Sequence, residues 1–103
     1  MERLKNQLKI LSKRHTMELI SALLDGPKYI SQLSEELGMP YTTAQQRVAE
    51  LERAALVEIE ADVDEASKRA VKLVRLRSFR IDLSPRNIKA LVDGEDDGVL
   101  RVI

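Results

Sequence analysis

The sequence predicts a mainly helical α+β fold in which a pair of short helices is followed by one β-hairpin, and three observations carry that prediction. Between Tyr29 and Val57 two helical patterns flank a very short turn: Ile30, Leu33 and Leu37 recur at i, i+3 and i+7, and Ala44, Val48, Leu51 and Ala55 at i, i+4, i+7 and i+11. The turn is Gly38-Met39-Pro40. Glycine tolerates the left-handed conformation that ends a helix, and proline cannot continue the first helix but is accepted at the start of the second. Third, Val57, Ile59, Ala61 and Val63 alternate with Glu58, Glu60, Asp62 and Asp64, the period-two pattern of a strand with one covered face.

The other elements follow in order. Residues 2–11 place Leu4, Leu8 and Leu11 on one helical stripe. Ser12 is placed to cap a next helix carrying Leu19, Ile20, Leu23 and Leu24 into the core before Asp25-Gly26-Pro27 ends it, and the two helices are also compatible with one long helix. After the strand that begins at Val57, residues 64–69 form a turn and residues 70–83 return as a second strand. In that strand Val71 and Leu73 share one phase, Val74 and Leu76 the other, and Phe79, Ile81 and Leu83 resume the first, which predicts bulges or a bend. Ser84-Pro85 supplies an N-cap and first helical position for a short helix through Ile88, Leu91 and Val92, and the tail from Gly94 is a turn with a possible strand. No internal repeat or low-complexity segment interrupts the chain.

A chain of 103 residues with this apolar content makes a single folded domain. It contains no cysteine, which excludes disulfides, thiolate metal sites and cysteine nucleophiles. Its apolar runs are too short to span a membrane and no signal-like segment follows the N-terminal basic residues, so a cytoplasmic protein is expected. The net charge is zero but strongly segregated. Between Glu50 and Glu65 seven acids face one base, Arg53, whereas between Ser67 and Val92 eight bases face one acid, Asp82. The first fourteen residues carry five bases against Glu2. A neutral chain of this kind can still present one basic face to phosphates.

The exposed side of the second helix of the pair carries Tyr41, Thr42, Thr43, Gln45, Gln46 and Arg47. All but the arginine are uncharged hydrogen-bonders, where a merely solvated helix would use Glu and Lys, as Glu50 and Glu52 do one turn later. Glutamine suits adenine edges, arginine guanine or phosphate, and threonine phosphates or a thymine methyl. Taken with Gly26-Pro27, Ile30-Ser31-Gln32-Leu33, Leu37-Gly38 and residues 51–57, LERAALV, the chain over about residues 14–83 resembles the winged helix-turn-helix of ArsR-like transcription regulators, with MarR-like proteins as the nearest rival. Pro40 stands where that family has a small hydroxyl residue. The resemblance implies phosphate contacts by Lys68 and Arg69 at the wing tip. For Lys72, Arg75 and Arg77, cross-strand pairing with Glu58, Glu60 and Asp62 is the expectation. Many ArsR-like sensors bind metal through cysteine or histidine clusters, but the corresponding helix here reads ISQLSEEL, so no metal sensing of that kind and no cofactor is expected.

His15 has no second histidine to share a ligand and is expected to be structural or on the surface. The acids Glu95, Asp96 and Asp97 are expected to form a solvated turn. No nucleophile–base set or glycine-rich phosphate loop can be assembled, so a binder and not an enzyme is expected. The resulting expectation is one winged-helix DNA-binding domain over residues 1–103. It acts as a homodimer on double-stranded DNA, with residues 41–55 as recognition helix and residues 57–83 as wing. Residues 1–12 and 84–103, through Leu4, Leu8, Leu11, Ile88 and Leu91, are the expected dimerisation elements. The alternative is a winged helix used for protein interaction without specific DNA binding.

Overall fold

The computed structural model describes residues 2–94 and 100–102. Glu95, Asp96 and Asp97 lie outside the described residues. In chain order the elements are α1 (Glu2–Leu11), α2 (Thr16–Leu23), β1 (Lys28–Tyr29), α3 (Ile30–Leu37), α4 (Tyr41–Arg53), β2 (Val57–Val63), β3 (Ala70–Leu76), β4 (Phe79–Ile81), α5 (Pro85–Val92) and β5 (Leu100–Val102). Strands β1, β3 and β2 form an antiparallel sheet in that order, while β4 pairs separately with β5.

The predicted helix pair is α3 and α4. Ile30 and Leu33 of α3 and Ala44, Val48 and Leu51 of α4 are buried in one core with Leu19 and Leu23 of α2 and Val57 and Val74 of the sheet. Both helices of the pair end in the same hydrogen-bonded closure. At α3, Gly38 adopts a left-handed φ of 63° and donates to Glu35 O, and Met39 donates to Ser34 O. At α4, Ala55 takes the left-handed position with a φ of 63°, donating to Glu52 O while Leu56 donates to Leu51 O. The helical stripe of α4 therefore stops before Ala55, and Ala54 is the alanine that is buried.

Helices α1 and α2 remain separate. The break comes at His15, which precedes α2 with a left-handed φ of 74°, and Ser12 donates its hydroxyl back to Lys9 O instead of capping α2. Leu24 falls beyond α2 and is 78% exposed, so it does not join Leu19 and Leu23 in the core. Gln7, on the face of α1 next to its leucines, is fully buried and donates to Ala54 O at 2.7 Å. That bond anchors α1 to the end of α4.

The hairpin has an unbroken register from Val57↔Leu76 to Val63↔Ala70, so no bulge lies within it. Val74 and Leu76 face the helices, and Val71 and Leu73 lie on the outer face. The later phase change in the sequence instead marks an interruption of the strand at Arg77-Ser78, after which β4 leaves the sheet for β5. Burial along β2 is lost beyond Ile59, leaving Ala61 and Val63 exposed because the hairpin projects past the helices that would cover them. The two-residue strand β1 pairs Lys28 with Val74 and Tyr29 with Leu73.

Ser84 caps α5 as expected, accepting from Asn87 N at 3.1 Å, with Pro85 in the first turn. Leu4 of α1 and Leu91 of α5 are buried in a second small cluster, with Leu8 and Ile81 packed around them. Leu4, Leu8 and Leu91, expected as dimerisation residues, thus pack against each other within one chain. Leu11 packs against the main core, whereas Ile88 and Val92 stay exposed.

Candidate nucleic-acid interface

The exposed side of α4 is set by the helix period once Ala44, Val48 and Leu51 point into the core. Tyr41, Thr42, Gln45 and Gln46 are exposed on its N-terminal half, and Thr43 is partly buried at the edge of that face. Pro40 precedes α4 with extended backbone and gives no side-chain cap. The first turn of α4 thus keeps amide donors that no capping side chain occupies.

Arg47 is placed differently from these neighbours. Its Nη1 donates to Glu50 Oε1 at 2.8 Å and its Nε to Arg14 O at 3.3 Å, so the guanidinium is turned toward the α1–α2 connection. Lys13 donates to the other Glu50 oxygen. Glu50, expected as a solvated charge, is 8% exposed and is held between two cations. The α1–α2 connection is thereby strapped to α4. Its partners lie far away in sequence, so helical periodicity alone gives no sign of the strap. The available signal is only that Arg47 and Glu50 are spaced for an i, i+3 pair on one flank of α4.

Burial disfavours the charged form of Glu50, but hydrogen bonds and charge from Lys13 and Arg47 outweigh it and hold the carboxyl below its ordinary value of 4.5. A depressed folded-state value contributes stability that is fully present above the unfolded value and is lost as pH falls through the folded one. We therefore expect the stability gap between the wild type and Glu50→Gln, measured by urea unfolding, to be constant at neutral pH and to shrink as pH falls below 4.5. A gap independent of pH over that range would show that the two cations do not hold the carboxylate.

At the wing tip, Asp64 organises the turn. It accepts from Ser67 Oγ at 2.7 Å and from Ala66 N at 3.3 Å, which hold its carboxyl below the usual range, and its carbonyl accepts from Lys68 N at 2.7 Å. Lys68 has a left-handed φ of 60° and its amine lies 3.2 Å from Glu65. Arg69 is exposed beside it. On the outer face of the sheet Arg75 pairs with Glu60 at 3.4 Å and Arg77 with Glu58 at 3.9 Å, as expected. Lys72 does not join them, because the register places it opposite Ala61 on the other face. Tyr29 donates its hydroxyl to Asp62 at 3.0 Å.

His15 sits half-buried at the start of α2. Among the described residues no three His, Asp or Glu side chains are grouped as a metal ion would require, and no helix is long and apolar enough to cross a membrane.

A helix pair closed by a glycine turn, followed by a hairpin that packs on it, defines the winged helix-turn-helix fold. Solved structures similar to this chain include reduced HlyU from Vibrio cholerae N16961, with a TM-score of 0.60 and 20% sequence identity over 89% of this chain and 83% of that one. HlyU from the same organism also matches, with a TM-score of 0.58 and 22% identity over 89% of this chain and 86% of that one. No protein-family model and no curated protein matches the chain. At these identities the likeness establishes a shared fold.

Proposed function

We propose that the chain is a sequence-specific, homodimeric transcription regulator of the cytoplasm that binds double-stranded DNA. It places the N-terminal half of α4 in the major groove and the hairpin on the flanking backbone. The observation that carries this reading is the exposed, uncharged hydrogen-bonding face of Tyr41, Thr42, Gln45 and Gln46 on the second helix of a helix-turn-helix. The uncapped first turn of α4 supports it, since its free amides suit a phosphate. The sequence likeness to ArsR-like regulators supports it as well. The test is selection of bound duplexes from a random pool, followed by titration over a salt series. Binding that weakens steeply with salt and converges on one sequence is the expected result.

With the operator in hand, Gln45→Ala or Gln46→Ala should cost about 1–3 kcal/mol at one base pair while scarcely changing non-specific affinity. An equal loss on every sequence would count against base reading by that side chain. The second reading, a winged helix that docks a protein, is favoured by the zero net charge and by the pairing of Lys68 with Glu65. Absence of duplex binding at low salt on any sequence would select it.

A further inference from the structure

Between α1 and the C-terminal end of α4 lies an open cleft of about 290 Å³, near the lower limit of the pockets that hold small molecules. Three bases line it, each from a different element: Lys9 from the last turn of α1, Lys13 from the α1–α2 connection and Arg53 from the end of α4. Glu50 is the one acid among the lining residues, and it is already shared between Lys13 and Arg47. Lys9 and Arg53 are exposed and, among the described residues, neither has an ion pair. Three bases against one acid leave two positive charges in excess, and a concave wall of one sign concentrates counter-ions. The helix ends beside the cleft do little to cancel that charge, because their carbonyls are occupied. Those of Glu50, Leu51, Glu52 and Ala54 accept from Ala54 N, Leu56 N, Ala55 N and Gln7 Nε2, and those of Lys9 and Ile10 from Ser12 Oγ and Lys13 N. Asn6 adds a neutral amide to the lining, and Ile10 and Ala54 give it an apolar part.

We propose that this cleft binds a small organic phosphomonoester, with its phosphate held by Lys9, Lys13 and Arg53 and its carbon body against Ile10 and Ala54. A phosphomonoester carries about two negative charges at neutral pH, which matches the excess in the cleft. Arginine offers a planar fork to two phosphate oxygens, and lysine a compact charge that suits the same group. Glu50 acts in the opposite sense. It occupies Lys13 and sets a carboxylate beside the place of the anion, so it weakens binding and keeps the site selective for a doubly charged head over a singly charged one. A ligand held from both walls joins α1 to α4 at the end where the Gln7 bond to Ala54 and the Lys13–Glu50–Arg47 strap already tie them. The cleft takes the same ligand whichever partner meets the polar face of α4.

The experiment titrates the full chain by isothermal calorimetry at low salt with propyl phosphate, inorganic phosphate and succinate. Propyl phosphate should bind once per chain and more tightly than the other two. Lys9→Gln and Arg53→Gln should each weaken it by about tenfold, the loss expected for one charge-assisted contact, while Lys72→Ala, an exposed lysine on the hairpin, should leave it unchanged. Glu50→Gln, which frees Lys13 and removes the competing carboxylate, should bind the ligand more tightly than the wild type. Circular dichroism checks that each variant is folded; should Glu50→Gln not fold, the Lys9 and Arg53 variants decide the matter alone. No binding of propyl phosphate at millimolar concentration overturns the site, and an equal loss in Lys72→Ala reduces it to non-specific attraction and overturns it as well. Inorganic phosphate bound as tightly would mean an adventitious ion only. Succinate bound as tightly would assign a dicarboxylate and overturn the phosphomonoester. A folded Glu50→Gln with unchanged or weaker affinity would remove Lys13 from the site and overturn the arrangement proposed.

Discussion

Replacing Leu51 by alanine should destabilise the domain by about 2–5 kcal/mol. Leu51 is fully buried, and it belongs to the core that joins α2, α3, α4 and the sheet. Its carbonyl also accepts from Leu56 N in the closure of α4, which restricts how far the helix end can move to fill the space left by the leucine. A site that relaxes little keeps its cavity, and the cost falls toward the upper end of the range. For a domain whose whole stability is of the order of 5–15 kcal/mol, that is a large part of it, and the melting temperature should fall by roughly 10 °C or more. Urea unfolding of wild type and variant gives the difference directly. A loss below about 1 kcal/mol would mean that α4 is not seated on the core through this residue, and the orientation of its polar face would fall with it.

The central helix pair was legible because its information is local. Ile30 and Leu33, then Ala44, Val48 and Leu51, repeat at the helical period, and Gly38 and Pro40 punctuate them, so each element can be read without knowing its partners. Ser84-Pro85 gave the start of α5 for the same reason. What the residues do not disclose is set by pairings across long stretches of chain. Gln7 reads as one more polar residue of an amphipathic helix until Ala54, 47 positions away, accepts its amide hydrogen bond. Glu50 appears solvated until Lys13 reaches it from the α1–α2 connection. Lys72, Arg75 and Arg77 look equivalent in sequence, and only the β2–β3 register sends the first to one face and pairs the others on the opposite one. Among the candidate interface residues, the helical period was enough to bring Tyr41, Thr42, Gln45 and Gln46 to one exposed side, but not to reveal that Arg47 is drawn to Glu50 and the Arg14 carbonyl.

The proposed homodimer leads to the largest expected effect on DNA binding, and the position of the apolar side chains decides which residues test it. Leu4 and Leu91 are buried within one chain, so Leu4→Glu would place a carboxylate in an apolar cluster and unpack α1 from α5 whether or not a dimer forms. Ile88 and Val92 lie one turn apart on α5 and are 50% and 70% exposed. They leave apolar area in water that a second copy can cover about a two-fold axis, and replacing them removes no contact buried in the monomer. The wild type is expected to sediment as a dimer at micromolar concentration, and Ile88→Glu/Val92→Glu as a folded monomer with an unchanged circular dichroism spectrum. Because one winged helix spans only one half-site, losing the second also loses the high effective concentration that links the two. Affinity for a two-half-site operator should then fall by a factor on the order of 10²–10⁴, while affinity for an isolated half-site stays within a few-fold of the wild-type value. A folded double variant that remains dimeric would remove Ile88 and Val92 from the interface. A wild type that is monomeric both free and on its operator would remove the dimer itself.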